Sequence, residues 1–134
     1  MTGSSVVGQP YCDRGFCISV SDEEITAKSG LCVEIPCSFS TPYYFKPRHL
    51  VWFKCEYNRR CNDSDIIFHT NENNNKPLKS EFLGRVSLLD PDLNHQNCSI
   101  IISDVRESDS GSYQLRVNGH ISGHIFFKLS ASSD

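Results

Sequence analysis

One side chain in this sequence is of the right type, in the right place, for anion recognition. Arg116 ends the run Tyr113-Gln-Leu-Arg116 and is followed by Val117 and Asn118. Side chains alternate along a strand, so Tyr113, Leu115 and Val117 share one face, and Gln114, Arg116 and Asn118 share the other. The apolar set belongs to the core, which turns Arg116 outward. Its guanidinium is planar, charged at any physiological pH, and offers a rigid fork of donors that matches a carboxylate. Its outward neighbours are short or apolar and give it few structural partners. The alternative is an ion pair with a carboxylate on the same face, such as Glu56.

Nothing comparable argues for catalysis. His49, His69, His95, His120 and His124 are scattered along the chain. His120 and His124 have a spacing that would serve a metal on a helix, but here it spans a hairpin. There is no nucleophile elbow, phosphate loop or paired-carboxylate pattern. No enzyme activity, cofactor or metal is expected. The formal net charge is -3 and no basic cluster exceeds Arg59-Arg60. Nucleic-acid binding through counterion release is therefore not expected.

The elements that must position Arg116 read as short strands. Ile100 and Ile102 alternate with Ser99 and Ser103, the period of a half-buried strand. Asp109-Ser-Gly-Ser-Tyr113 is a turn in which Gly111 can adopt unusual backbone angles and Asp109 can bond local amides. Further strands are expected at 16–20, 31–39, 50–54, 65–69, 85–89 and 125–129. In the second, Val33, Ile35 and Cys37 face the core while Cys32, Glu34 and Pro36 face away. Pro36 donates no amide, so its side of the strand must meet solvent or a bulge. Trp52 is the expected core indole. Val51, Phe53 and Phe126 fall on outward positions, where exposed aromatics would suit a protein partner. In the last strand Ile125, Phe127 and Leu129 are expected inside. His124, Phe126 and Lys128 are expected outside, on the sheet face of Arg116.

A chain of 134 residues suits one domain with short ends. The domain is expected over residues 11–130, with 1–10 as a leader lacking signal-peptide character and 131–134 as a tail or linker. No apolar run approaches ~18 residues, so no membrane span is expected within the chain. Seven cysteines point to an oxidising compartment. The N-x-S sequons at Asn62 and Asn97 agree, and mark both as glycosylation candidates. Strand parity puts Cys37 and Cys98 in the core. Cys55 with Cys61, and Cys12 with Cys17, are close enough to close local loops, although sequence leaves the connectivity of Cys12, Cys17 and Cys32 open. Cys32 is then the odd cysteine, either free or bonded elsewhere.

Asp109-x-Gly111-x-Tyr113 resembles the corner before strand F of an immunoglobulin domain, where the tyrosine hydroxyl bonds back to upstream backbone. The usual cysteine two residues later is replaced by Leu115. The fold expected is all-β, an immunoglobulin V-set β-sandwich. Its disulfide would lie within one sheet, between strands B and E, as Cys37–Cys98. Arg85 and Asp109 resemble the ion pair that closes the bottom of such domains. Taken with Gly30-Leu-Cys-Val-Glu-Ile-Pro-Cys-Ser-Phe-Ser40 and Asn97-Cys98-Ser99, the chain resembles the N-terminal V-set domain of the siglecs, the sialic-acid-binding immunoglobulin-type lectins. The resemblance covers roughly residues 16–130.

The resemblance implies a Cys37–Cys98 bridge, a Cys32 bonded to a following constant-type immunoglobulin domain, and an Arg116 that binds a sialic acid carboxylate. It also implies an aromatic on the first strand, for which Tyr11 or Phe16 is available, and a large side chain early on strand G, for which His124 and Phe126 are available. Gln114 and Ser122 complete the candidate site. The implied partner is a sialylated glycan on a glycoprotein or glycolipid. The implied setting is the ectodomain of a single-pass cell-surface receptor. The alternative is a V-set adhesion or receptor domain that binds a protein through the same GFCC′ face.

Overall fold

The computed structural model describes residues 11–13, 15–20, 25–56, 60–71, 76–119 and 124–127. Among them the chain forms β-strands and single-turn 3-10 helices, with no α-helix. Such short runs of alternating apolar residues bury one face each, and two layers are needed to cover those faces.

The front sheet contains β5 (Pro47–Lys54), β6 (Ile66–His69), β9 (Tyr113–Gly119) and β10 (His124–Phe127), in the order β10-β9-β5-β6. All its pairings are antiparallel. These are strands G, F, C and C′ of the immunoglobulin scheme. The other layer has two parts. β3 (Val33–Ile35), β8 (Ile100–Ile102) and β7 (Val86–Leu88) run in the order β3-β8-β7. β1 (Tyr11–Asp13), β2 (Phe16–Val20) and β4 (Cys37–Ser40) run in the order β1-β2-β4.

The strand expected over 31–39 is in fact two. Val33 to Ile35 pair with β8, whereas Cys37 to Ser40 pair with β2. The break falls at Pro36, whose missing amide cannot continue a ladder, so the chain changes neighbour there. The alternation survives the break: Val33, Ile35, Cys37 and Phe39 are all buried. The last strand also begins one residue early, at His124, and is described only to Phe127. The expected inward and outward sets of that strand involve side chains outside the described ones.

Cys37 and Cys98 are bonded, with Cα atoms 4.9 Å apart. The Cys98 amide also donates to the Cys37 carbonyl at 2.9 Å, so the bridge joins neighbouring backbone within one layer. Leu115, on the opposing sheet, fills core space instead of completing an inter-sheet bond. Trp52 is fully buried and its indole N–H donates to the Cys98 carbonyl at 3.1 Å, which satisfies the one polar atom of that ring. Tyr113 is equally buried, and its hydroxyl donates to the Asp109 carbonyl, the tyrosine corner expected from the sequence. Below it, the Arg85 guanidinium meets both Asp109 oxygens, at 2.8 and 2.9 Å.

The segment before β8 carries a second charged device. The His95 ring lies between two carboxylates, Nδ1 at 2.7 Å from Asp90 Oδ2 and Nε2 at 3.4 Å from Asp92 Oδ2. The hydrogen bond to Asp90, followed by the charges of Asp90 and Asp92, holds the imidazole pKa above its ordinary value. A group whose folded pKa is raised stabilises most fully below its unfolded value of about 6.5, and that contribution fades as pH rises through the folded value. An NMR titration should therefore find the His95 midpoint above that of an unperturbed histidine, and Asp90→Asn should bring it down. An unshifted midpoint in the unmodified chain would contradict the clamp.

Candidate functional site

Position Arg116 is set by β9. Tyr113, Leu115 and Val117 are buried in the sandwich, while Gln114, Arg116 and Asn118 are half-buried on the other face. The register places Arg116 between two strands, opposite Val51 on β5 and opposite Phe126 on β10. Its Cζ lies 4.9 Å from the centroid of the Phe53 ring, which stands one diagonal step away because Phe53 is itself opposite Gln114. Diagonal neighbours on a sheet face are within reach of aromatic and long side chains. Burial pulls the guanidinium pKa down, Asp63 pushes it up, and Arg60 pulls it down again. An arginine so perturbed still carries its charge at neutral pH.

The front face is not the open aromatic surface that alternation suggests. Val51 and Phe53 are only 5% and 2% exposed. They form a second small apolar cluster with Cys55, Cys61 and Ile66, against which Leu78 packs. The Cys55–Cys61 disulfide draws the chain after β5 back on itself. A 3-10 turn at Asp63–Asp65 then delivers Ile66 into β6 opposite Phe53, across a register shift between Trp52 and Phe53. Asn62 caps that turn: its side chain accepts from the Ser64 amide at 3.1 Å, and its own amide donates to Asp65 Oδ2 at 2.9 Å. The Cys55–Cys61 bridge, Ile66 and Leu78 thus pack against two of the three side chains expected to be available to a protein partner. Arg60, just before Cys61, and Asp63, in the 3-10 turn after it, are the charges that Arg116 feels.

The remaining candidates are distributed as follows. His124 is opposite Asn118, beside the site in register. Ser122 lies outside the described residues. Tyr11 pairs with Ile18 in the β1-β2-β4 sheet, a different sheet from that of Arg116. Cys12 and Cys17 are bonded across β1 and β2. Cys32 is exposed and its thiol is free. Asn62 is exposed; Asn97 is half-buried and accepts from the Ser99 amide at 2.9 Å. Ser99 itself is buried, accepting from the Cys37 amide at 2.9 Å and donating to the Cys37 carbonyl at 3.1 Å.

A cleft of about 270 Å³ opens beside the end of β5, lined by residues that include Lys54, Asp65, Lys79 and Gly111. Arg116 is not among its lining residues. The Lys54 ammonium there donates to the Ser108 carbonyl at 3.0 Å, tying β5 to the corner before β9. The sulfurs of Cys55 and Cys61 lie near the Asp65 carboxylate, but as a cystine they have no thiolate to offer a metal.

Compared with known proteins, residues 27–128 match the family model described as the B-cell receptor CD22-like, first Ig-like domain. The chain is 36% identical over 103 residues to sialic acid-binding Ig-like lectin 5 of Homo sapiens, covering 71% of this chain and 17% of that protein. It is 36% identical over 107 residues to sialic acid-binding Ig-like lectin 8 of Homo sapiens, covering 77% of this chain and 20% of that protein. The chain thus spans no more than 20% of the length of these two curated relatives. Among solved structures, murine CRIg is similar with a TM-score of 0.67 at 13% identity, covering 94% of this chain and 97% of that one. At that identity the likeness concerns the fold.

Proposed function

The chain belongs to the family of CD22-like first immunoglobulin domains, the N-terminal V-set domain of the siglecs, and from that premise we propose that it binds terminal sialic acid through Arg116. The single observation that carries the reading is the Arg116 guanidinium, held on the outward face of a central strand against the Phe53 ring. A sialic acid presents a carboxylate, and a fixed guanidinium fork is the side chain best matched to it. Gln114, His124 and Phe126 flank Arg116 in sequence or register, and together with Ser122 they would contact the rest of the sugar. Tyr11 is the first-strand aromatic of the proposed site.

A charge-assisted contact contributes about 1.5–3 kcal/mol net. Adding a few neutral bonds gives ~4–5 kcal/mol, a dissociation constant near ~1 mM. Weak single sites of this kind gain strength when many copies meet many glycans. That fits a receptor ectodomain on a cell surface, with Cys32 bonded to a following constant-type domain. The competing reading, protein docking through Val51, Phe53 and Phe126, is weakened because the first two are buried in a cluster with the Cys55–Cys61 bridge and Ile66.

The test is a cell-binding assay with multimerised domain before and after sialidase treatment of the target cells. Loss of binding after sialidase is expected. Binding that survives complete desialylation would refute the lectin reading and favour a protein partner.

A further inference from the structure

The apolar cluster on the front sheet does not belong to the sandwich core. It sits on the opposite face of β5, and its aromatic member, Phe53, lies directly against the Arg116 guanidinium. An arginine side chain has several rotatable bonds, and on an open sheet face it would sample many directions. A planar cation resting on an aromatic face loses that freedom and is held parallel or edge-on to a fixed surface. The ring can serve as such a surface because it is enclosed: Phe53 is buried and packed with Ile66 and the Cys55–Cys61 bridge.

We propose that Phe53 is a positioning residue for Arg116, its ring seating the guanidinium in one orientation on the outward sheet face before any ligand arrives. This rests on the reading of Arg116 as the sialic acid contact. The Cys55–Cys61 bridge then has a definite task. It excludes water from one side of Phe53, which strengthens the ring's attraction for a cation, and it keeps the ring in one rotamer. Pre-organisation of this kind raises affinity by lowering the ordering cost of binding, without adding a contact to the ligand.

The experiment uses the intact domain and a soluble sialyl trisaccharide, with affinity read by NMR titration. The resonances of the Arg116 δ-methylene protons report the ring current of Phe53 independently of ligand. Phe53→Leu keeps an apolar filler but removes the ring face. It should return those resonances to ordinary arginine positions and weaken binding about three- to ten-fold. Phe53→Tyr keeps the face and should retain both the shift and the affinity. Ile66→Val loosens the same cluster without touching the ring face and should bind within about twofold of the unmodified domain. Phe53→Met serves in place of Phe53→Leu if the latter does not fold by near-ultraviolet dichroism.

Undiminished binding by Phe53→Leu alongside lost ring-current shifts would overturn the inference alone. So would weakened binding with the shifts intact, since the loss would not act through Arg116. An unmodified domain that does not bind the trisaccharide, with Arg116→Ala no different, would overturn the underlying reading and this inference with it.

Discussion

Arg116→Ala is expected to abolish measurable binding to sialylated glycans while leaving the fold intact. Deleting a charge-assisted contact of about 1.5–3 kcal/mol lowers affinity roughly ten- to a hundred-fold. Starting from a dissociation constant near ~1 mM, the variant would fall below detection even on a multivalent surface. Stability should change little, because Arg116 is half-buried on the outer face, away from the core around Trp52. Arg116→Lys tests whether charge alone suffices. An ammonium keeps the charge but gives up the bidentate fork and the flat face that rests on Phe53, so it should recover only part of the loss. A glycan array comparing the three proteins, with thermal unfolding as the control for folding, decides the matter. An unchanged array signal for Arg116→Ala would move the binding site elsewhere on the molecule.

The parts of this arrangement that strand parity governs were legible in the sequence. The outward turn of Arg116, the burial of Trp52 and the core placement of Cys37 and Cys98 all follow from a period of two. The structure agrees with each of these. Pro36 was legible as a disturbance, but not as the point where the strand changes partners. That depends on which neighbour each half meets, and a local pattern does not encode it. The fate of Val51 and Phe53 was illegible for a different reason. Parity correctly turned them away from the sandwich core, but exposure also depends on what lies above. Here the cover comes from a non-periodic stretch: a short cystine and, after a capped 3-10 turn, Ile66. The Cys55-to-Cys61 spacing was a sign that the chain doubles back there, without saying which face it would cover. Arg60 and Asp63 were missed as influences on the site for the same reason.

The two charged groups at the other end of β9 carry the largest expected effect on stability. Arg85 and Asp109 have side chains only 8% and 2% exposed, and they meet through two hydrogen bonds. The remaining valences are nearly all used. Arg85 also donates to the carbonyls of Glu81, Ser103 and Asp104, while Asp109 Oδ2 accepts from the Arg106 amide at 2.9 Å. Burial by itself would push the Asp109 carboxyl up. The hydrogen bonds from Arg85 and the Arg106 amide, with the Arg85 charge, outweigh it and hold the carboxyl below its ordinary value. Arg85 is pushed up in turn, chiefly by its hydrogen bonds to Asp109.

Removing one partner leaves the other charge buried without its counter-ion. Asp109→Ala or Arg85→Ala should therefore each cost about 3–5 kcal/mol in denaturant unfolding. That is a large share of the ~5–15 kcal/mol that holds a typical domain together. The apolar double variant Arg85→Met with Asp109→Leu removes both charges and should cost far less than the sum of the single changes. The sign with pH follows from the depressed carboxyl. Its contribution is complete above the unfolded value of about 3.9, and it is lost as pH falls through the folded value. Unfolding free energy measured from pH 7 downward should thus fall more steeply for the unmodified domain than for the double variant. Additive single costs, or parallel acid profiles, would show that the pair does not act as a unit and that the corner before Arg116 is held by the Tyr113 bond and packing alone.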